Sequence, residues 1–216
     1  MRASRGAHGV LALTQAPATV FLVDDDDSVL RGLGRLLRAS GYATKPFASP
    51  SEFLAQLSGD TPGCAVLDLR MPGLNGLELQ QAMESKDCHL PVIFISGHGD
   101  VPASVRAMKA GAVDFLMKPF DEQQLLGAIS QALLKDAAAR TGRAETAALH
   151  ARHAVLTPRE REVCTLVAQG LTNKEVAQQL GTTEKTIKVH RARVIQKLGV
   201  GSVAELVRFV DRLGQG

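Results

Sequence analysis

No uninterrupted apolar stretch in this 216-residue chain approaches the roughly 20 residues that carry a helix across a bilayer, so the sequence predicts no membrane span. Cysteine is scarce. Cys64, Cys88 and Cys164 are odd in number, widely spaced and form no Cys-x-x-Cys pair, which points to reduced thiols in a cytoplasmic protein. Cys164 reads as a small buried hydrophobe rather than a redox sensor. Residues 1–18 hold two arginines and only a short, interrupted apolar piece, Gly9-Val10-Leu11-Ala12-Leu13. That is a poor signal peptide, and the segment reads as a disordered N-terminal extension or an over-long start. Acidic residues thin out along the chain. Lys and Arg number 12 and Asp and Glu 15 in residues 1–136, net −3, whereas residues 137–216 hold 13 and 7, net +6. A polyanion would bind the second half.

The chain as a whole is 45% hydrophobic, enough for packed cores in one or two domains. Short apolar runs alternate with helical stretches through the first half. Strands are expected near 19–23, 42–46, 63–67, 91–95 and 113–117, and helices near 27–39, 49–58, 75–85, 101–109 and 121–135. This βα alternation predicts a five-stranded parallel sheet covered on both faces. A flavodoxin-like order, 2-1-3-4-5, would gather the C-terminal ends of strands 1, 3, 4 and 5 at one crevice.

Those ends are chemically distinctive. Gly63-Cys64-Ala65-Val66-Leu67 ends in Asp68, Val20-Phe21-Leu22-Val23 ends in Asp24-Asp25-Asp26-Asp27, and Val113 to Met117 ends in Lys118-Pro119. The grouping makes sense if Asp68 is a nucleophile, Asp24 and Asp25 help to hold a hard cation such as Mg²⁺, and Lys118 neutralises a transferring phosphoryl group. Asp26 and Asp27 are better read as the opening of the next helix.

Val23-Asp24-Asp25, Asp68-Leu69-Arg70-Met71-Pro72-Gly73, Ser96-Gly97-His98-Gly99-Asp100 and Lys118-Pro119-Phe120 resemble the receiver domain of two-component response regulators. The resemblance covers about 19–135 and implies a CheY-like fold. It makes Asp68 the phospho-acceptor and Asp24, Asp25, Asp68 and the Arg70 backbone carbonyl the ligands of Mg²⁺. It also makes Ser96 the switch hydroxyl, Lys118 the invariant-type lysine and Phe115 the switch aromatic. Arg70 and His98 flank the phosphoryl site. Residues 136–154, rich in Ala, Arg and Thr, read as a partly helical linker, with His150 and His153 on a solvated face.

The second half is punctuated by helix starts and stops. Thr157-Pro158-Arg159-Glu160, Thr172-Asn173-Lys174-Glu175 and Ser202-Val203-Ala204-Glu205 repeat the Ser/Thr-x-x-Glu capping pattern, and Gly170, Gly181 and Gly199 stand at expected helix ends. Helices over 158–168, 173–180, 184–198 and 203–213 follow, the middle two forming a helix-turn-helix. On 184–198, Ile187, Val194 and Leu198 share one face while Lys185, Val189, Ala192 and Gln196 lie opposite, flanked by Lys188 and Arg193. That face suits a DNA major groove.

Gly170 to Ala177 together with Lys185-Thr186-Ile187-Lys188-Val189-His190 resembles the LuxR-type four-helix DNA-binding domain, within a domain spanning 155–216. The whole chain resembles FixJ/NarL-type transcriptional regulators. By position, Lys188, Val189 and Ala192 match base-facing residues, Lys174 and Arg193 match phosphate contacts, and Lys185 is a further DNA-binding residue. Ala192 stands where some family members have a basic residue, so its contact would be with a thymine methyl. His190 and Arg191 take structural roles.

The resemblance implies a sensor histidine kinase as phosphoryl donor, promoter DNA as target, homodimerisation on phosphorylation, RNA polymerase as a further partner, and no enzymatic turnover. One rival is a haloacid-dehalogenase-like phosphatase, because Asp25-Asp26-Asp27-Ser28-Val29 fits its Asp-x-Asp opening; that reading leaves the Asp68 motif and the C-terminal half unexplained. A receiver that works without phosphorylation is a further alternative, against which the full set of acids, hydroxyl and lysine argues.

Overall fold

The computed structural model describes residues 18–58, 61–97 and 101–214; of the expected extension over 1–18 only Ala18 is among them, and His98 lies outside them. The chain divides into two compact units, Met1–Ala138 and Ala139–Gly216.

In the first unit, strands β1 (Thr19–Val23), β2 (Ala43–Phe47), β3 (Gly63–Asp68), β4 (Val92–Ser96) and β5 (Asp114–Met117) form one sheet in the order β2-β1-β3-β4-β5. Every pairing is parallel. Helices α1 (Asp27–Ala39), α2 (Pro50–Gln56), α3 (Gly76–Ser85), α4 (Val101–Lys109) and the start of α5 (Glu122–Ala154) alternate with the strands. Period-two side-chain alternation divides the apolar residues between two cores. Phe21, Phe47, Phe53, Leu79, Met83 and Phe94 belong to one, and Leu22, Leu37, Ile93, Ile95, Leu125 and Ile129 to the other. Both faces of β3 are therefore buried, which is why its sequence is apolar without alternation until Asp68.

The element edges differ from expectation for local reasons. β2 begins one residue late because the Tyr42 N–H is used to close α1 on the Leu37 carbonyl at 2.9 Å, next to Gly41 at φ 88°. β4 begins after Pro91, whose ring nitrogen has no proton to give to the ladder, although its carbonyl accepts from Ala65 N at 2.9 Å. β5 also starts one residue late, at Asp114. The largest difference is α5. It does not end near 135 but runs 33 residues to Ala154, through the segment expected to be a partly helical linker. Alanines dominate that stretch, and no proline interrupts it before Pro158.

In the second unit the last turns of α5 are joined by α6 (Pro158–Ala168), α7 (Asn173–Gln179), α8 (Glu184–Leu198) and α9 (Val203–Leu213). Leu149, Val163, Val176, Ile187, Val194 and Phe209 are among the residues of its core. Full capping boxes form at Thr157/Glu160 and Thr172/Glu175. At Ser202 only half of the box forms: Ser202 accepts from Glu205 N, but the Glu205 carboxylate accepts from Gly201 N at 2.7 Å instead.

Glu160 is buried, caps α6 and accepts from Lys197 Nζ at 2.7 Å. The Lys197 hydrogen bond, with the Thr157 N–H, holds its carboxyl down to about 2, against burial. Since the folded value is depressed, this contribution is complete above about 4.5, the ordinary value, and is lost as pH falls from there through about 2. Glu160→Gln is expected to cost about 2 kcal/mol at neutral pH, less than a fully buried pair because Lys197 is one-third exposed. The loss should shrink in acid, as thermal unfolding of the full chain at neutral and acidic pH would register.

Candidate functional site

β3 lies between β1 and β4, and β5 flanks β4, so the ends of β1, β3 and β5 share one rim. Asp24 follows β1 and Asp68 is the last residue of β3; both are buried. Lys118 follows β5 and is joined to Pro119 by a cis peptide. Its Nζ donates to Asp24 Oδ2 and to Asp68 Oδ1, each at 2.7 Å. The second oxygens are engaged by backbone: Asp24 Oδ1 accepts from Asp26 N at 2.9 Å and Asp68 Oδ2 from Arg70 N at 2.6 Å. One ammonium thus ties together two carboxylates that are 94 and 50 residues away in sequence.

The electrostatics follow from burial and pairing. Burial raises the Asp24 carboxyl above its ordinary value, partly offset by the hydrogen bonds from Lys118 and the Asp26 N–H. Burial also opposes the Lys118 charge, but the hydrogen bonds to Asp24 and Asp68 outweigh it and raise its pKa. Lys118 is a fixed cation at working pH.

The other expected residues fall around this centre. Asp25 is exposed and has no partner among the described residues, while Asp26 caps α1 by accepting from Ser28 N at 2.7 Å. Arg70 is exposed in the loop after β3. Ser96 is buried at the end of β4, and its carbonyl accepts from Lys118 N at 2.7 Å, so strand 4 helps to position the lysine. Phe115 is half-buried against the core, its ring centroid 6.5 Å from that of Phe94. No group of three or more His, Cys, Asp or Glu able to hold a metal stands preassembled among the described residues.

Sequence reasoning missed Gly76. A Cβ there would lie 2.5 Å from the Asp68 carbonyl oxygen and 2.9 Å from Phe94 Cε1, so only glycine lets α3 start this close to the end of β3. The Asn75/Glu78 capping box that begins α3 was legible as an Asn-x-x-Glu pattern. Gly76→Ala should cost about 2 kcal/mol by overpacking and displace Asp68. A lowered melting temperature together with shifted amide resonances at residues 68–70 would register both effects.

In the second unit, α7 and α8 form the expected helix-turn-helix. Ile187, Val194 and Leu198 are buried, while Lys174, Lys185, Lys188, Val189, Ala192 and Arg193 are all exposed. Val189, 46% exposed, is an apolar side chain left on the surface between Lys185, Lys188 and Arg193. Arg191 instead donates to Asn173 Oδ1 at 3.0 Å, linking α8 to the first turn of α7. His190 is partly buried.

Residues 20–130 match the response regulator receiver domain family, and residues 154–210 match the luxR family of bacterial regulatory proteins. The chain belongs to the two-component response regulators. It is 45% identical to nodulation protein W of Bradyrhizobium diazoefficiens over 197 residues, covering 91% of this chain and 87% of that protein. It is 40% identical to the transcriptional regulatory protein FixJ of the same organism, over 90% of this chain and 95% of that one. A solved structure of the response regulator StyR superposes with a TM-score of 0.85 at 47% identity, covering 91% of this chain and all of that chain. This is therefore a FixJ/NarL-type response regulator, a CheY-like receiver followed by a LuxR-type DNA-binding domain. The receiver implies a sensor kinase as partner, and the LuxR-type domain implies DNA binding. The phosphatase reading is not supported: the two family matches account for the Asp68 motif and for the C-terminal half, which that reading left unexplained. No helix among the described residues is long and apolar enough to cross a membrane.

Proposed function

We propose that this response regulator takes a phosphoryl group onto Asp68 from the phosphohistidine of a sensor kinase, and that the modification changes dimerisation and promoter binding. The observation that carries the reading is the bridging of buried Asp68 and Asp24 by the Lys118 ammonium at 2.7 Å to each. A carboxylate oxygen of Asp68 forms the new P–O bond as the P–N bond of phosphohistidine breaks, and the imidazole leaves with the bonding electron pair and takes up a proton. Lys118, already charged at the acceptor, offsets the negative charge that arrives with the phosphoryl oxygens.

The donors here are all oxygen, which fits a hard cation. Asp24, Asp25, Asp68 and the Arg70 carbonyl would hold Mg²⁺, which supplies positive charge to the phosphoryl oxygens when bound. Ser96 then donates its hydroxyl to a phosphoryl oxygen, and Phe115 turns further towards the core. The face made by α4, β5 and α5 changes with them, favouring a homodimer. Lys188, Val189 and Ala192 read bases in the major groove, Lys174 and Arg193 hold phosphates, Lys185 adds to the DNA-binding face, and RNA polymerase is a further partner. The setting is the cytoplasm, and the protein acts as a switch rather than an enzyme with turnover.

Acetyl phosphate with Mg²⁺, followed by intact mass and oligomeric state, tests the switch: a single phosphoryl adduct with a shift to dimer is expected. No adduct, from either acetyl phosphate or a phosphorylated kinase, would reject it. For the DNA face, Lys188→Ala should weaken specific binding by about 1–3 kcal/mol. A footprint and affinity equal to wild type would remove Lys188 from base readout.

A further inference from the structure

The two helices of the helix-turn-helix, α7 and α8, are joined by the chain at one end and have to be held at the other. Their turn runs through Leu180-Gly181-Thr182-Thr183, with Gly181 at φ 60° and the Thr182 N–H closing on the Ala177 carbonyl at 2.9 Å. Val176 and Ala177 of α7 and Ile187 of α8 are buried in one core and hold the pair along its length. The first residues of α7 lie at the end away from the turn. There Arg191 Nη1 donates to Asn173 Oδ1 at 3.0 Å, across 18 residues of sequence, and both residues are partly buried. Among the described residues it is the one side-chain hydrogen bond between α7 and α8.

The surroundings of this bond leave it no other evident task. Asn173 is not the cap of α7: Thr172 accepts from Glu175 N, and the Glu175 carboxylate accepts from Thr172 N at 2.7 Å. The far end of α8 is fixed separately, by Lys197 Nζ on Glu160 at 2.7 Å. An arginine on a DNA-binding unit invites reading as a phosphate contact. Here the guanidinium is partly buried and spent on a neutral amide of the neighbouring helix, while Lys174, Lys188 and Arg193 stay exposed.

We propose that Arg191, through Asn173, is a positioning residue that sets the base specificity of α8. Asn173 adjoins Lys174 in sequence, Ala192 adjoins Arg191, and Lys188 lies one helical turn before Arg191. The bond therefore joins the backbone that carries a phosphate-holding lysine to the stretch of α8 that carries the base-facing residues. Lysine on a phosphate is a flexible point charge and tolerates displacement, whereas contact with a base edge does not. Opening the pair at Asn173 thus costs discrimination between sequences more than it costs attraction to DNA. The inference rests on the reading of Lys188, Val189 and Ala192 as base-facing.

The full-length chain, incubated with acetyl phosphate and Mg²⁺, is used to select a preferred duplex from a random-sequence library; a scrambled duplex of equal length and composition is the reference. Affinities for both are then measured over a range of salt for wild type, Arg191→Met, Asn173→Ala and the double variant. Arg191→Met keeps the aliphatic stem, and Asn173→Ala changes no charge and leaves the capping box intact. Each single variant should lower the ratio of preferred to scrambled affinity about tenfold, the factor of one hydrogen bond to a charged group. The double variant should lose no more than either single one, because both act through the same bond. Affinity of Asn173→Ala for the scrambled duplex and the salt slope of all variants should stay as in wild type. A wild-type ratio in both single variants would overturn the proposal, as would losses that add in the double variant. A salt slope reduced by about 1 in Arg191→Met would overturn it too, by making Arg191 a phosphate contact. A wild type that prefers no duplex would reject the base-facing reading and this proposal together, whereas the other adverse results leave that reading standing.

Discussion

Asp68→Asn is expected to abolish labelling by acetyl phosphate and by a phosphorylated kinase, a loss of at least about 10³-fold, while the fold stays intact. The substitution is close to isosteric. The amide that replaces the carboxylate would keep a carbonyl oxygen for Lys118, which also remains bonded to Asp24 Oδ2, so the ammonium is not left buried without a partner. What disappears is the anionic nucleophile and the acceptor that now receives Arg70 N–H at 2.6 Å. With only Asp24 beside it, the Lys118 pKa should drop towards the ordinary lysine value, because one of the two hydrogen bonds that raise it loses its charge. Intact mass, followed by acid and base treatment of the adduct, checks this: an acid-stable, base-labile group in wild type alone is the expected result. Undiminished labelling of the variant would sink the acceptor assignment and move the search to another carboxylate. Unchanged oligomeric state in a labelled wild type would leave phosphotransfer standing and reject its coupling to dimerisation.

The centre of this site was legible because it is written in local sequence. Three apolar strands each end in charge, and a parallel sheet must bring such ends to one rim, so Asp24, Asp68 and Lys118 could be placed together without any contact being known. What the strand pattern could not supply was that Lys118 contacts both carboxylates at once, which depends on strand order and side-chain reach. In the second unit the Thr-x-x-Glu boxes and the buried stripe Ile187, Val194 and Leu198 again lie within single elements, and the exposed face of α8 followed from them. The reading failed where the deciding partner is remote. Nothing local marks Gly76 as packed against the Asp68 carbonyl, or Gln80 as bonded to Ala110 thirty residues away. α5 outruns its expected end because a shift to an alanine-rich composition suggests a linker, although alanine is the strongest helix former and Leu149 in that stretch is buried in the second core.

Gly63→Ala should be the most destabilising small substitution in the receiver, costing about 3 kcal/mol and lowering its melting temperature by roughly 10 °C. Gly63 opens β3 at φ 152°, paired with Thr19, and a Cβ there would overlap the Thr19 carbonyl oxygen, with Thr19 C at 3.0 Å. The obstacle is backbone on the neighbouring strand, so no rotamer change relieves it; β1 and β3 would have to part where the sheet begins. Parting them breaks a second link, because the Gly63 N–H donates to the buried Asp136 carboxylate at 3.0 Å, an attachment between α5 and the sheet 73 residues away in sequence. Gly41→Ala is the control. Gly41 also has a positive φ, 88°, but nothing lies within 4 Å of where its Cβ would stand, so it should cost only about 1 kcal/mol from backbone strain. Thermal melts of both variants separate strain from collision. If the two lose the same stability, the collision with Thr19 is not what demands glycine at position 63; if Gly63→Ala loses far more, the sheet's N-terminal edge, at the end of β3 away from Asp68, is where the receiver's fold is least tolerant of added volume.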